Sequence, residues 1–319
     1  MSLIDLHCDT LSKLVNKDSG ENLYENTLCV SIPEMRKAKT EVQLFACYTY
    51  LPDFPEQGYD GCYEHVHQMI DCLEREVQLF PEELAVATTS EQLEANKAAG
   101  KISAVLTVEE GGILNGKMER LETLYERGIR VITPMWNYEN CLGHPNSRDA
   151  DVMKKGLKPF GKEVMDYMAE KKMIVDVSHA SDGTFWDILE KKNCTVLASH
   201  SNCRSLRKHP RNLTDEMIRA LAERGGVAGL NFYGTFLGKK KESRVEEMTA
   251  HLLHMIRVGG SEFPAIGTDF DGFSGMVVED IPKVGKMDIL WDALKKKGIS
   301  ETQIEKIWSG NARRVLQNI

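Results

Sequence analysis

Short apolar runs alternate with amphipathic segments along the whole chain, and no other feature constrains its fold as strongly. Eight runs read as buried strands: Leu3–Asp9, Val42–Tyr50, Ile102–Glu110, Ile129–Trp136, Met173–His179, Thr195–His200, Val227–Tyr233 and Ala265–Phe270. They are short and rich in β-branched or aromatic residues, as strands covered on both faces are. The segments between them carry helical periodicity: Glu64–Leu79, Glu119–Arg127, Pro159–Lys171, Asp182–Lys191, Thr214–Glu223, Glu246–Val258 and Asp288–Lys297. Thr214, followed by Asp215 and Glu216, is a typical helix-capping start. Strand–helix alternation repeated about eight times predicts an α/β protein, a (β/α)8 TIM barrel, with a final helix over Glu301–Leu316. No low-complexity segment or Pro-rich linker divides the 319 residues, so one domain over residues 1–319 is expected.

Charge and cysteine usage narrow the function classes. The net charge of −8 disfavours nucleic acid and anionic membrane as partners. No apolar run approaches the ~18 residues of a spanning helix, and no basic and apolar leader opens the chain. The 8 cysteines form no Cys-x-x-Cys pair, which favours reduced thiols and a cytoplasmic protein. The Lys239–Lys241 and Lys295–Lys297 runs read as solvated surface.

Barrel enzymes build their sites at the C-terminal ends of the strands. Here the first run ends in His7 and Asp9, two residues apart and therefore on one face, with Cys8 turned away. The third ends in Glu109-Glu110-Gly111-Gly112, the fifth in His179, the sixth in His200, and the eighth in Asp269 with Asp271 beyond it. Three imidazoles and several carboxylates then meet on one rim. Two divalent ions need such a mixture of neutral nitrogens and anionic oxygens, with one carboxylate between them. A carboxylate left over takes a proton from water. Asp5, one layer below His7, suits a supporting role, and Asp271 a structural one. His65, His67, His251 and His254 read as surface or partly buried residues without a carboxylate partner.

In order along the chain, these segments resemble the membrane (renal-type) dipeptidase family of the amidohydrolase superfamily. Asp5-Leu6-His7-Cys8-Asp9 resembles its Asp-x-His-x-Asp, and Glu110-Gly111-Gly112 its Glu-Gly-Gly. Asp176–His179 and Ser199–Ser201 resemble its later histidine segments. Pro210–Leu213 resembles an Arg-Asn segment, Gly267–Gly272 its Gly-x-Asp-Phe-Asp-Gly, and Gly310–Ala312 its closing helix. The resemblance implies two Zn2+, the first held by His7 and Asp9, the second by His179 and His200. Glu110 would bridge them. Glu109 is the competing candidate, since strand alternation turns only one of the two inward. Asp269 would act as base and then as acid, and Arg211 would grip a substrate carboxylate.

One position departs from the family. Where renal-type members carry a histidine after strand four, thought to touch the substrate carbonyl, this chain has Trp136 in Thr133–Asn140. An indole has a single N–H to donate. His144, in the following loop, is a candidate substitute, while Asn137 and Tyr233 are candidates to line the pocket with Trp136. The resemblance thus implies a zinc dipeptidase in which a metal-bridging hydroxide attacks a small dipeptide, with tolerance of a C-terminal D-residue, and a homodimer. Two other readings stand beside it: an amidohydrolase acting on N-acyl amino acids or lactams, and a metal-binding barrel without turnover.

Overall fold

The structure is a computed structural model that describes residues 2–15, 20–240, 242–273 and 279–319; Lys241 of the expected surface run lies outside them. Nine parallel strands form one sheet: β1 (Leu3–Cys8), β2 (Thr40–Tyr48), β3 (Leu84–Val86), β4 (Ile102–Glu109), β5 (Ile129–Thr133), β6 (Ile174–Asp176), β7 (Thr195–Leu197), β8 (Ala228–Leu230) and β9 (Pro264–Ile266). Eight of them follow the order β7-β6-β5-β4-β2-β1-β9-β8 around a barrel. A parallel bridge between Ala198 and Ala228 joins the two ends of that path. All eight expected strands are present. The additional β3 pairs with Ile102–Ala104 at the start of β4; it and helices Ile32–Ala38 and Ser90–Ala98 were not revealed by sequence periodicity.

The strands end earlier than the apolar runs do. β5 stops at Thr133, where Pro134 has no N–H to continue the ladder. β6 and β7 stop at Asp176 and Leu197. There the Asp176 carboxylate takes over the ladder's work and accepts from the backbone N–H of Ser178 (2.9 Å) and Ser199 (2.8 Å). His179 and His200 consequently stand on loops just past their strands.

Two apolar shells hold the barrel. Ile4, Leu6, Val42, Leu44, Val105, Val131, Ile174 and Leu197 fill its interior, and a larger cluster packs the outer strand faces against the helices. The expected final helix is broken into Glu301–Glu305, a wider π turn over Lys306–Gly310, and Asn311–Leu316. The extra residue of a π turn shifts the register of the last helical segment. Asn311 then lies under β9, donating to Ser261 O (3.0 Å) and Pro264 O (2.9 Å). Ala312, Val315 and Leu316 join the interior cluster and close the end of the barrel opposite the strand C-termini.

His251 and His254 are 1% and 5% exposed, which corrects the surface reading. They sit on the inward face of helix Val245–Gly259, and His254 has a carboxylate partner, Asp215, at 2.7 Å. All eight cysteines are free thiols. Among the described residues, no helix is long and apolar enough to cross a membrane.

Candidate active site

The site begins with two local departures from strand alternation. On β1, Ile4 and Leu6 face the interior and Cys8 faces the helices. Pairing with β2 slips between Asp5 and Cys8, so three residues of β1 span two of β2. Such bulges re-aim side chains beside active sites. This one lets His7 follow Leu6 to the barrel mouth and brings Asp9 there as well. On β4 the alternation is regular: Val105 is inward, Leu106 and Val108 are outward, and Glu109 comes inward again. Glu110 leaves the strand at φ 96° and turns out of the barrel.

Glu109 is therefore the centre of the cluster, which corrects the expectation that Glu110 faces it. Its Oε2 is 3.3 Å from His7 Nε2, and its Oε1 is 3.0 Å from His179 Nε2 and 3.4 Å from His200 Nε2. One oxygen thus faces each half of the site. On the first half, Asp9 Oδ2 is 3.3 Å and Asp269 Oδ1 3.9 Å from His7 Nε2. On the second half, His179 Nε2 and His200 Nε2 face each other at 3.1 Å.

Outer hydrogen bonds orient both rings. His179 Nδ1 donates to Asn137 Oδ1 (3.1 Å). His200 Nδ1 meets Ser199 Oγ (2.6 Å), which in turn donates to Asp176. With Nδ1 occupied on both rings, the two Nε2 lone pairs point at one space, an arrangement that asks for a cation. His7 Nε2 and Asp9 Oδ1 are buried and have no hydrogen-bond partner, as befits atoms reserved for a metal. The donor types, imidazole and carboxylate in the triads Glu109–His179–His200 and His7–Asp9–Asp269, fit divalent ions. Asp176, which also falls near His7 and His200, is committed to Ser178, Ser199 and Thr133.

Burial dominates the electrostatics. It raises Asp269 to about 8, helped by Asp9 and Glu109 and opposed by His7 and Arg211. It lowers His179 to about 4, with Arg211 acting in the same sense. Burial also disfavours a charged His7, yet the Glu109 and Asp9 carboxylates hold its pKa well above the usual histidine range. Asn231 Nδ2 donates to Asp269 Oδ2 (2.9 Å) and fixes that carboxyl beside the cluster.

A cavity of about 290 Å³ opens over these groups. Asp9, Glu109, His179 and Asp269 form its floor, and Trp136, Asn137 and Tyr233 line it as expected. Tyr48, Phe236, Gly272 and Phe273 line it too. None of the four is of a metal-ligating type, so the sequence did not single them out as pocket residues.

Arg211 is 5% exposed. Its Nη atoms donate to Ser201 Oγ (3.4 Å) and His200 O (3.2 Å), and its Nε has no partner. Phe236 backs the guanidinium at 5.3 Å. His144, by contrast, does not line the cavity. Its Nδ1 pairs with Gly156 O (2.9 Å) and its Nε2 lies 3.4 Å from Glu139, because the 140–145 loop is tied down against the segment around Gly156 and Leu157.

A closed parallel barrel that converges histidines and carboxylates on a cavity at its strand C-termini is the layout of a metal-dependent hydrolase. The chain belongs to the membrane dipeptidase family (peptidase family M19), whose profile matches residues 1–319. It is accordingly a metallo-dipeptidase, a hydrolase of peptide bonds, and the family implies a metal cofactor. An uncharacterized dipeptidase of Schizosaccharomyces pombe (strain 972 / ATCC 24843) is 30% identical over 305 residues, 92% of this chain and 73% of that protein. A metallo peptidase from Rhodobacter sphaeroides, crystallised with a phosphinate mimic of the dipeptide L-Ala-D-Ala, superposes with a TM-score of 0.90 at 22% identity, covering 100% of this chain and 99% of that one. Dipeptidase AC, of the same family, superposes at 0.91 with 23% identity, covering 100% and 98%.

Proposed function

We propose that the cluster holds two zinc ions and that the protein cleaves small dipeptides with a free C-terminal carboxylate, including those ending in a D-residue. The observation that carries this reading is the Glu109 carboxylate, with one oxygen toward His7 and the other toward His179 and His200. His7 and Asp9 would hold the first ion and His179 and His200 the second, with Glu109 shared. Nitrogen and oxygen donors without a thiolate suit zinc. When bound, the pair of cations supplies the Lewis acidity that activates water and polarises the scissile carbonyl.

The chain's own residues do the rest. Asp269, held by Asn231 beside the cluster, takes the proton from the attacking water and returns it to the leaving amine. Arg211, buried with a free Nε, offers a guanidinium fork to the substrate's terminal carboxylate. A cavity of about 290 Å³ suits a substrate of two residues, being at the lower end of ligand pockets. The mimic bound to the R. sphaeroides peptidase supports a D-residue at the second position. Trp136 brings a single indole N–H where renal-type members carry histidine.

The test is turnover of a panel of L,L- and L,D-dipeptides and N-acyl amino acids by zinc-loaded protein, wild type and Asp269→Asn. The expected result is dipeptide hydrolysis, reduced by about 10²–10⁴ in kcat in the variant with its zinc retained. Turnover confined to N-acyl amino acids, or an Asp269→Asn enzyme as fast as wild type, would overturn the proposal.

A further inference from the structure

The carboxylate displaced from the metal cluster has a complete set of partners of its own. Glu110 is fully buried at φ 96°. Its Oε1 accepts from Gly112 N (2.8 Å), Asn140 Nδ2 (2.6 Å) and the Tyr59 hydroxyl (3.5 Å). Its Oε2 accepts from one group, the backbone N–H of Trp136 (3.1 Å). Asn140 completes a hub: its Nδ2 also donates to Pro134 O (2.8 Å), and its Oδ1 accepts from Leu142 N (2.8 Å) and Gly143 N (3.3 Å). The loop after β5, residues 134–143, is thus tied to the end of β4 by two buried side chains.

The next two glycines make the tie possible. A Cβ on Gly111 would come within 2.8 Å of Pro134 O, and one on Gly112 would collide with the Glu110 carboxylate and the Tyr59 ring. Glu110-Gly111-Gly112 therefore works as a clasp on the neighbouring loop.

That loop carries two parts of the active site. Trp136 follows directly on the clasped N–H, and its ring stands over the cavity beside Tyr48 (5.2 Å) and His179 (6.1 Å). The next residue, Asn137, accepts from His179 Nδ1 (3.1 Å) and from Asn146 Nδ2 (3.1 Å). Asn146 in turn donates to His179 O through its backbone N–H (2.7 Å).

We infer that Glu110 is a positioning residue: through the Trp136 amide it holds the loop that sets the Trp136 wall and, by way of Asn137, the ring of His179. Its activity consequences rest on the dipeptidase reading above; its structural consequences do not.

Glu110→Gln is the informative variant. It keeps an oxygen for Gly112, Asn140 and Tyr59 and turns an NH2 toward the Trp136 N–H, donor against donor. Hydrogen exchange reads the clasp directly: amides of residues 135–143 exchange about tenfold faster in the variant, while those of helix Val245–Gly259 do not change. Zinc content stays at the wild-type value, whereas Glu109→Gln loses metal. In dipeptide hydrolysis, kcat/KM falls roughly tenfold, mainly through KM. Asn137→Ala gives a similar loss, and the double variant Glu110→Gln/Asn137→Ala is no worse than the weaker single variant, since both act along one path.

Loss of metal in Glu110→Gln would make Glu110 a ligand and overturn the inference. So would unchanged exchange of residues 135–143, or losses that multiply in the double variant. Should Glu110→Gln not fold, Asn140→Asp carries the same exchange and metal measurements, because it sets a carboxylate against Glu110. A wild type inactive on dipeptides would refute the function proposed above and leave the exchange and metal results to decide this one.

Discussion

His179 and Asp269 both sit at positive φ, 68° and 61°. Side chains with a Cβ adopt this region at a cost of about 1–3 kcal/mol, and such residues gather where a site needs them. The backbone turn aims each group at the cluster. Between Asp9 and Asp269 lies Gly272, where a Cβ would run into Asp9 Oδ2 and Asp269 Oδ1. Gly272→Ala is expected to weaken metal binding by about 10–100-fold while leaving the melting temperature near wild type, measured by metal titration and thermal unfolding. Wild-type affinity would mean that the two carboxylates yield without cost. The residue types of the cluster and most of their positions were legible in the sequence. The choice between Glu109 and Glu110 was legible too, but in the wrong signal for a motif reading: Val105 inward and Leu106 outward put Glu109 inside, while Glu-Gly-Gly drew attention to Glu110. His144 was beyond reach, because a loop's direction depends on tertiary anchors such as Gly156.

At the scale of elements, periodicity located every barrel strand and each long helix, because burial on both faces or on one stripe leaves a pattern in composition. It missed β3 and helix Ile32–Ala38, which are short, and helix Ser90–Ala98, which buries Leu93 alone and so carries no apolar stripe. It also misread helix Val245–Gly259, whose inner face carries His251. There Nδ1 accepts the Cys203 N–H (3.0 Å) and Nε2 donates to Leu237 O (2.9 Å), so the ring is held neutral between two loops. Burial lowers its pKa from 6.5 to about 4. Above pH 6.5 the ring is neutral folded or unfolded. Between 6.5 and 4 the unfolded chain takes up a proton that the folded chain refuses, so this residue's contribution to stability is lost as pH falls. The loss reaches about 3 kcal/mol near pH 4. Denaturant unfolding of wild type and His251→Asn at pH 7.5 and 5 checks this: the wild type loses more stability on acidification than the variant does. Equal losses would show that His251 is protonated in the fold.

For the whole molecule, the two ends of the barrel have different work. Ala312, Val315 and Leu316 fill the end below the strand N-termini with apolar side chains. At the other end, β1, β4 and the segments after β6, β7 and β9 each deliver one or two donors around Glu109. The barrel makes this convergence possible, since residues far apart in sequence become neighbours around one ring of strands. The register slip in β1 and the regular alternation in β4 decide which side chains arrive. Anomalous diffraction at the zinc edge from crystals of the zinc-loaded protein tests the account most directly. It predicts two peaks per chain, one beside His7 and Asp9 and one beside His179 and His200, with the Glu109 carboxylate between them. A peak ligated by Glu110, or a cluster that stays free of metal, would contradict it.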